Sequence, residues 1–123
     1  MFSSRTVIFL AFIAASSISW ACSSGASSKS KPYVLANDQT YEATLFRQNC
    51  AVCHGREGEG TVLPNGTVIP SLRDAHHKFN TRAEIFNQIT HGGNGMTPFD
   101  RQLTDKERQL LTDLVYSKLR GGK

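Results

Sequence analysis

Residues 50–55 read CAVCHG, and this stretch decides how the rest of the chain is interpreted. Two cysteines, Cys50 and Cys53, are separated by two small or medium apolar residues, and His54 follows at once. A CxxC pair is found in zinc sites, in thiol–disulfide couples and, when histidine follows directly, in covalent haem attachment sites. Each of these requires different partners, so the surrounding sequence has to supply the distinction.

The first two possibilities lack what they need elsewhere in the chain. A structural zinc site has four ligands, usually from two such pairs. The only other cysteine is Cys22, and His76, His77 and His91 are the remaining candidates, so no second cysteine pair exists. Thiol redox chemistry places CxxC at a helix start in a βαβ fold. Here the motif follows a helical stretch and no βαβ alternation is present, so both possibilities are disfavoured.

The third possibility, attachment of a c-type haem, explains the spacing itself. Positions i, i+3 and i+4 of a helical turn lie on one side, and Cys50, Cys53 and His54 occupy them. Two thiols on that side can form thioethers with the two vinyl groups of a porphyrin, while the imidazole reaches the iron. The sequence therefore predicts one covalently bound haem c per chain, with Cys50 and Cys53 as attachment residues and His54 as an iron ligand.

A second iron ligand decides what such a haem does, and Met96 is our prediction. Apart from Met1 it is the only methionine, and it lies in GGNGMTPF, a Gly-rich loop rather than a helical stripe. The alternative is a gap-filling core methionine. His76, His77 and His91 are rival ligands. His91 ends a predicted helix, where it suits the helix dipole, and the other two are interpreted as surface loop residues near a haem propionate.

Apolar periodicity predicts three helices, over residues 38–52, 81–91 and 104–119. Thr81 with Glu84, and Thr104 with Glu107, have the spacing of capping boxes. Between the first two helices, VLPNGTVI predicts a short hairpin, because Asn-Gly favours a tight turn. The fold class is therefore all-α.

The N-terminal third has a different character. MFSSR is followed by the apolar or small residues TVIFLAFIAASSISW, which is the layout of a secretory signal. ISWAC resembles a bacterial lipoprotein processing site and implies lipidation of Cys22; cleavage after Ala21 without lipid is the alternative. Residues 22–32 are Ser-rich and cannot bury enough apolar surface to fold. We expect a signal peptide over 1–21, a lipidation site and tether over 22–37, and a folded domain over 38–123.

Charge adds two exclusions. The net charge is +4, but the basic residues are scattered and form no run, so a nucleic-acid partner is not expected. No acid, base and nucleophile occur in a pattern that indicates catalysis, so we do not expect an enzyme.

Taken together, these motifs resemble the class I monohaem cytochromes c of the bacterial membrane-anchored kind. The resemblance covers about residues 38–120 and rests on YEATLFRQNCAVCHG, IPSL, GGNGMTPF and the last amphipathic helix. It implies an all-α fold in which the first and last helices cross, with Phe46 and Tyr116 as the candidate aromatic contact, and loops wrap the haem. It also implies that the Pro70 carbonyl accepts a hydrogen bond from the His54 ring; a simple loop proline is the alternative.

The resemblance implies a one-electron carrier, monomeric, exchanging electrons with redox protein partners on the periplasmic side of a bacterial membrane, where the lipid on Cys22 would anchor it. Two other functions stay open. An enzyme or gas sensor with a five-coordinate haem requires that Met96 does not bind iron, and a haem-free thiol module requires that Cys50 and Cys53 stay unmodified.

Overall fold

The computed structural model describes residues 31–74 and 77–122. The predicted signal peptide, Cys22 and His76 lie outside the described residues. The folded unit begins at Lys31 and therefore includes residues that the sequence assigns to the tether. Leu35 is fully buried, and the Glu57 carboxylate accepts hydrogen bonds from the backbone N–H groups of Leu35 and Ala36, at 2.7 and 2.9 Å. The fold thus starts earlier than residue 38, because an apolar side chain and two backbone bonds attach this segment to the domain.

The first predicted helix is shorter at its start and is divided near its end. Helix α1 spans Tyr41–Asn49 and helix α2 spans Ala51–His54. The helix does not begin at Asp38, because the carboxylate of that residue accepts a bond from the Thr40 backbone N–H at 2.7 Å and holds the preceding turn. At the junction, the Cys50 carbonyl accepts bonds from the N–H groups of Cys53 and His54, at 3.1 and 2.9 Å. The helical turn that the attachment spacing requires is therefore present.

A two-stranded hairpin follows, as predicted. Strand β1, Thr61–Val62, pairs antiparallel with strand β2, Val68–Ile69. Gly60 lies where the chain after His54 meets the end of the hairpin, with a φ of +84°, and a Cβ there would lie 2.5 Å from the Ile69 carbonyl oxygen. Its N–H donates to the His54 carbonyl at 2.8 Å. A glycine is needed at this position because backbone packs directly on backbone.

The two remaining helices begin where their capping boxes predict. Helix α3 spans Arg82–His91 and helix α4 spans Asp105–Asp113, and both boxes are formed. The helix predicted over residues 104–119 is α-helical only as far as Asp113, and the segment Leu114–Leu119 is π-helical instead. Wider π turns depend on i→i+5 bonds, which hydrophobic periodicity does not reveal.

The core lies among these helices, with α4 packed against α1 and α3. The all-α fold class is confirmed, with the hairpin as its only sheet within residues 31–74 and 77–122. Phe46 is 1% exposed in this core, and Tyr116 packs at its edge with the Arg82 guanidinium 4.1 Å from its ring centre. In the part of the chain that is described, none of the helices has both the length and the apolar character needed to cross a membrane.

Removal of one N-cap should measure how much the last helix depends on its start signal. The Thr104 side chain accepts from the Glu107 N–H, and the Glu107 carboxylate accepts from the Thr104 N–H at 2.8 Å. We expect Thr104→Ala to lower the free energy of unfolding by about 1 kcal/mol in denaturant titrations. Thr67→Ala, in the exposed hairpin turn, is the control and should change it little. Equal losses in the two variants would contradict the capping role.

Candidate functional site

One cavity of about 560 Å³ collects the residues that the sequence singles out. Cys50, Cys53, His54, Pro70 and Met96 all line it, although they come from three separate stretches of chain. Its other walls are largely apolar and come from α1, α3, α4, the π-helical segment and the loops between them: Phe46, Leu72, Ile85, Ile89, Phe99, Leu111 and Val115. An apolar cavity with a few convergent polar groups is the usual form of a cofactor site.

A second depression, of about 570 Å³, lies at the N-terminal segment between Lys31 and Gln39. It is open to solvent and contains none of the predicted site residues. Comparable volume does not make it a competing site, since its one carboxylate, that of Asp38, is already bonded to Tyr33, Thr40 and Lys118.

Cys50 and Cys53 are free thiols rather than a disulfide. Burial raises the pKa of the Cys50 thiol to about 12, and the nearby Cys53 adds to this effect. Reactive redox cysteines have a lowered thiol pKa, so this environment opposes the thiol-module interpretation. Among residues 31–74 and 77–122, no group of three or more His, Cys, Asp or Glu side chains is arranged to hold a metal ion.

The His54 ring shows an unfulfilled hydrogen-bonding requirement. Its Nδ1 atom is buried and has no partner among the described residues. Burial lowers the pKa of His54, and the nearby His77 adds to this, so the neutral imidazole that binds metals is favoured. A buried polar atom without a partner costs about 1–3 kcal/mol and calls for an explanation. Pro70 lines the same cavity without accepting a bond from this ring, so its predicted role stays a prediction.

The loop that carries Met96 is fixed by its backbone. Gly93 and Met96 exchange two backbone hydrogen bonds, of 2.9 and 3.1 Å, around a tight turn. Asn94 and Gly95, at the centre of that turn, have positive φ values of 54° and 86°. Gly92 ends α3 at φ +66°, and a Cβ there would lie 2.4 Å from the Met96 carbonyl oxygen. This close approach sets where the thioether enters the cavity.

Gln88 is a site residue that the sequence analysis did not identify. Its side-chain amide donates to the Gly93 carbonyl at 3.0 Å and contacts the Met96 sulfur at 3.7 Å. Gln88 therefore orients both the loop and the thioether. The available signal was its place on α3, three residues after the buried Ile85, where a polar residue interrupts the apolar face.

The rival histidines differ in position. His91 is exposed at the end of α3, its Nδ1 atom 3.2 Å from the Asn87 carbonyl oxygen, and it is not among the cavity-lining residues. His77 does line the cavity, and its Nδ1 accepts from the Phe79 N–H at 3.3 Å. Burial lowers the pKa of His77, as does the charge of Arg120, while Asp74 raises it.

The donor set fits a covalently attached haem. Two unpaired thiols and a neutral imidazole with an unpaired nitrogen occupy one helical turn, and a thioether from a distant loop lines the same apolar cavity. These are the groups that thioether attachment and iron ligation use.

Comparison with known proteins agrees with a site for covalently attached haem. The family described as "Cytochrome C oxidase, cbb3-type, subunit III" matches residues 38–115. Cytochrome c6 of Thermosynechococcus vestitus is 36% identical over 93 residues, covering 74% of this chain and 80% of that protein. The cytochrome bc1 complex cytochrome c subunit of Corynebacterium efficiens is 35% identical over 74 residues, which is 59% of this chain but 23% of that protein. Among solved structures, the KustC0563 c-type cytochrome aligns with a TM-score of 0.53 and 33% identity, over 60% of this chain and 92% of that one.

Proposed function

Because the chain belongs to the monohaem c-type cytochromes, which carry covalently bound haem c and transfer electrons, we propose that His54 and Met96 are the two ligands of its haem iron. In this proposal the protein exchanges single electrons with redox protein partners at the cell envelope. The observation that carries this proposal is the convergence of Cys50, Cys53, His54 and Met96 on one apolar cavity.

Each residue has a distinct role in this proposal. Cys50 and Cys53 hold the cofactor covalently, and His54, in the same helical turn, supplies the first ligand. Met96 supplies the second from its Gly-rich loop, held there by Gln88. When bound, the haem provides a one-electron Fe(III)/Fe(II) couple, and thioether ligation with apolar burial favours the reduced state.

The same ligand pair argues for a carrier over an enzyme or gas sensor. With His54 and Met96 both holding the iron, no coordination position would remain for a gas or substrate. The rigid backbone around Met96, with its two bonds to Gly93, limits how far this ligand can move. A site that changes little between oxidation states suits simple electron exchange, for which no acid, base or nucleophile is required.

The absorption spectrum of the purified holoprotein tests the ligand pair. We expect the oxidised protein to show the weak long-wavelength band of iron–methionine ligation, and the reduced protein to bind carbon monoxide slowly because Met96 must first leave. A missing band together with rapid carbon monoxide binding would instead support a five-coordinate enzyme or sensor.

We propose export, lipidation of Cys22 and a tethered position on the periplasmic side of a bacterial membrane as the setting for this chemistry. The support is the signal-like N-terminus and the Ser-rich stretch that follows Cys22. The Corynebacterium relative is by its name the cytochrome c subunit of a cytochrome bc1 complex, which supports redox protein complexes of the cell envelope as electron donor or acceptor. Mass spectrometry of the native protein, monomeric in this proposal, would report the haem and acyl groups together.

A further inference from the structure

One region of the cavity wall is positively charged. The thiols, imidazole and thioether that would attach the haem and bind its iron do not account for this charge. Besides the proposed ligand His54, the basic residues that line the cavity in the described part of the chain are His77, Lys78 and Arg120. His77 and Lys78 lie in the loop before α3, and Arg120 lies just beyond the π-helical segment. Arg120 is far from His77 and Lys78 in the sequence, so only the folding of the chain brings it to the same part of the cavity wall.

The Arg120 guanidinium bridges both ends of this loop. Its Nε donates to the Leu72 carbonyl at 2.8 Å, and its Nη1 donates to the Phe79 carbonyl. A guanidinium has five N–H donors in a fixed fork, so two carbonyl partners leave further donor capacity. Within residues 31–74 and 77–122, no ion pair joins Arg120 to a carboxylate. Asp74 lies near enough to act on this half-buried cation through its charge but forms no ion pair with it. A further anion in the cavity would therefore reduce the cost of burying the guanidinium.

The π-helical segment explains how this cation reaches the cavity. The Arg120 N–H donates to the Val115 carbonyl at 3.2 Å, which is an i→i+5 bond, and both residues line the cavity. In an α-helix, a residue five positions on would be turned about 140° away from Val115. The wider turn therefore gives both side chains to the cavity wall, and π turns are frequent at functional sites.

We propose that Arg120 is the principal cationic partner of the carboxylate groups of the haem, and that the π-helical segment exists to present it. This inference rests on the proposed covalent haem c, whose propionates are the only anions that the cofactor would bring into an otherwise apolar cavity. Lys78 and His77 are secondary members of the same region: Lys78 is exposed, and His77 uses Nδ1 to accept from the Phe79 backbone. Asp74, the acidic residue lining this region, moderates the positive charge.

The consequence is a bias of the iron couple. A fixed positive charge beside the cofactor opposes the additional positive charge of Fe(III), so it favours Fe(II) and raises the reduction potential. Arg120 would thus act as a positioning and tuning residue, through the carboxylates of the cofactor and not as an iron ligand.

Three variants of the purified holoprotein test this, with the midpoint potential as the readout. We expect Arg120→Gln to shift the Fe(III)/Fe(II) equilibrium about tenfold toward Fe(III), a lowering of about 59 mV for a one-electron couple. Arg120→Lys keeps the charge but loses the fork, and should restore most of the potential. Arg82→Gln is the matched control. Arg82 contacts α4 through Asp113 and the π-helical segment through Ser117, but it does not line the cavity. It should leave the potential unchanged.

The outcomes separate charge from structure. If Arg120 only ties the loop, Arg120→Lys will behave like Arg120→Gln, which overturns the proposal, as does an unchanged potential in Arg120→Gln. The long-wavelength band of Arg120→Gln shows whether the iron ligands are unchanged. A lowered midpoint potential supports the proposal when this band persists. A wild-type protein without covalent haem or without the band would overturn the proposed function instead, and that result is visible before any variant is compared.

Discussion

Met96→Ala is expected to lower the reduction potential by roughly 120–180 mV, which corresponds to a shift of about 10²–10³-fold at 59 mV per decade. In the proposed ligand pair the Met96 thioether would stabilise Fe(II), and its loss would open the iron to water and small ligands. The long-wavelength band of the oxidised protein should disappear, and carbon monoxide should bind rapidly to the reduced protein. Potentiometric titration and carbon monoxide mixing measure both effects on the same sample.

Two further variants separate ligation from packing. Met96→Leu keeps the apolar volume without the sulfur, so it should reproduce the spectrum and potential of Met96→Ala while changing stability less. Asn94→Gly alters the same turn at a position with φ of 54°, which glycine adopts readily, and should keep the band. If Met96→Leu retained the band and the potential, Met96 would be a core methionine and another side chain would be the ligand.

The double variant Cys50→Ala/Cys53→Ala is expected to lose covalent haem completely. Without thiols no thioether forms, and haem that enters the cavity non-covalently is released on denaturation. Haem staining after denaturing electrophoresis should therefore be absent in this variant and strong in the wild type. Because the haem would occupy the proposed cavity of about 560 Å³, we also expect the variant to unfold at lower denaturant concentration.

Cys22→Ala is the matched control, since it removes the third cysteine outside the attachment motif. It should keep the full haem stain while losing the acyl mass that the lipidation proposal requires. Persistence of the stain in the double variant would contradict attachment through CAVCHG, and an unchanged mass in Cys22→Ala beyond the substitution itself would contradict lipidation.

Much of the fold was accessible from local signals. The capping boxes at Thr81 and Thr104 place two helix starts correctly, because each box is formed by residues three apart. The hairpin is predicted by Asn65-Gly66 between apolar residues, which is also a local signal because neighbouring residues form the turn. The first helix was placed too early, since Asp38 is used in the preceding turn, a choice that depends on its tertiary partners Tyr33 and Lys118.

The remaining features come from contacts between distant parts of the chain. Leu35 is fully buried although it lies in the predicted tether, because the short run YVLA at residues 33–36 is too brief to show a helix or strand period. Gln88 becomes a site residue only when the Met96 loop folds back onto α3. The position of Arg120 depends on an i→i+5 bond that helical periodicity does not encode.

By itself, the sequence determined the attachment chemistry: CAVCHG sets two thiols and an imidazole on one helical turn, and this requires only the local geometry of a helix. The tertiary structure alone decided what surrounds them. It brought Met96 and Pro70 into the same cavity as His54, left the His54 Nδ1 atom without a partner, and placed Arg120 at the cavity wall. The physical reason is that these relations depend on how helices and loops pack over long sequence separations, whereas the motif depends on a backbone turn of five residues.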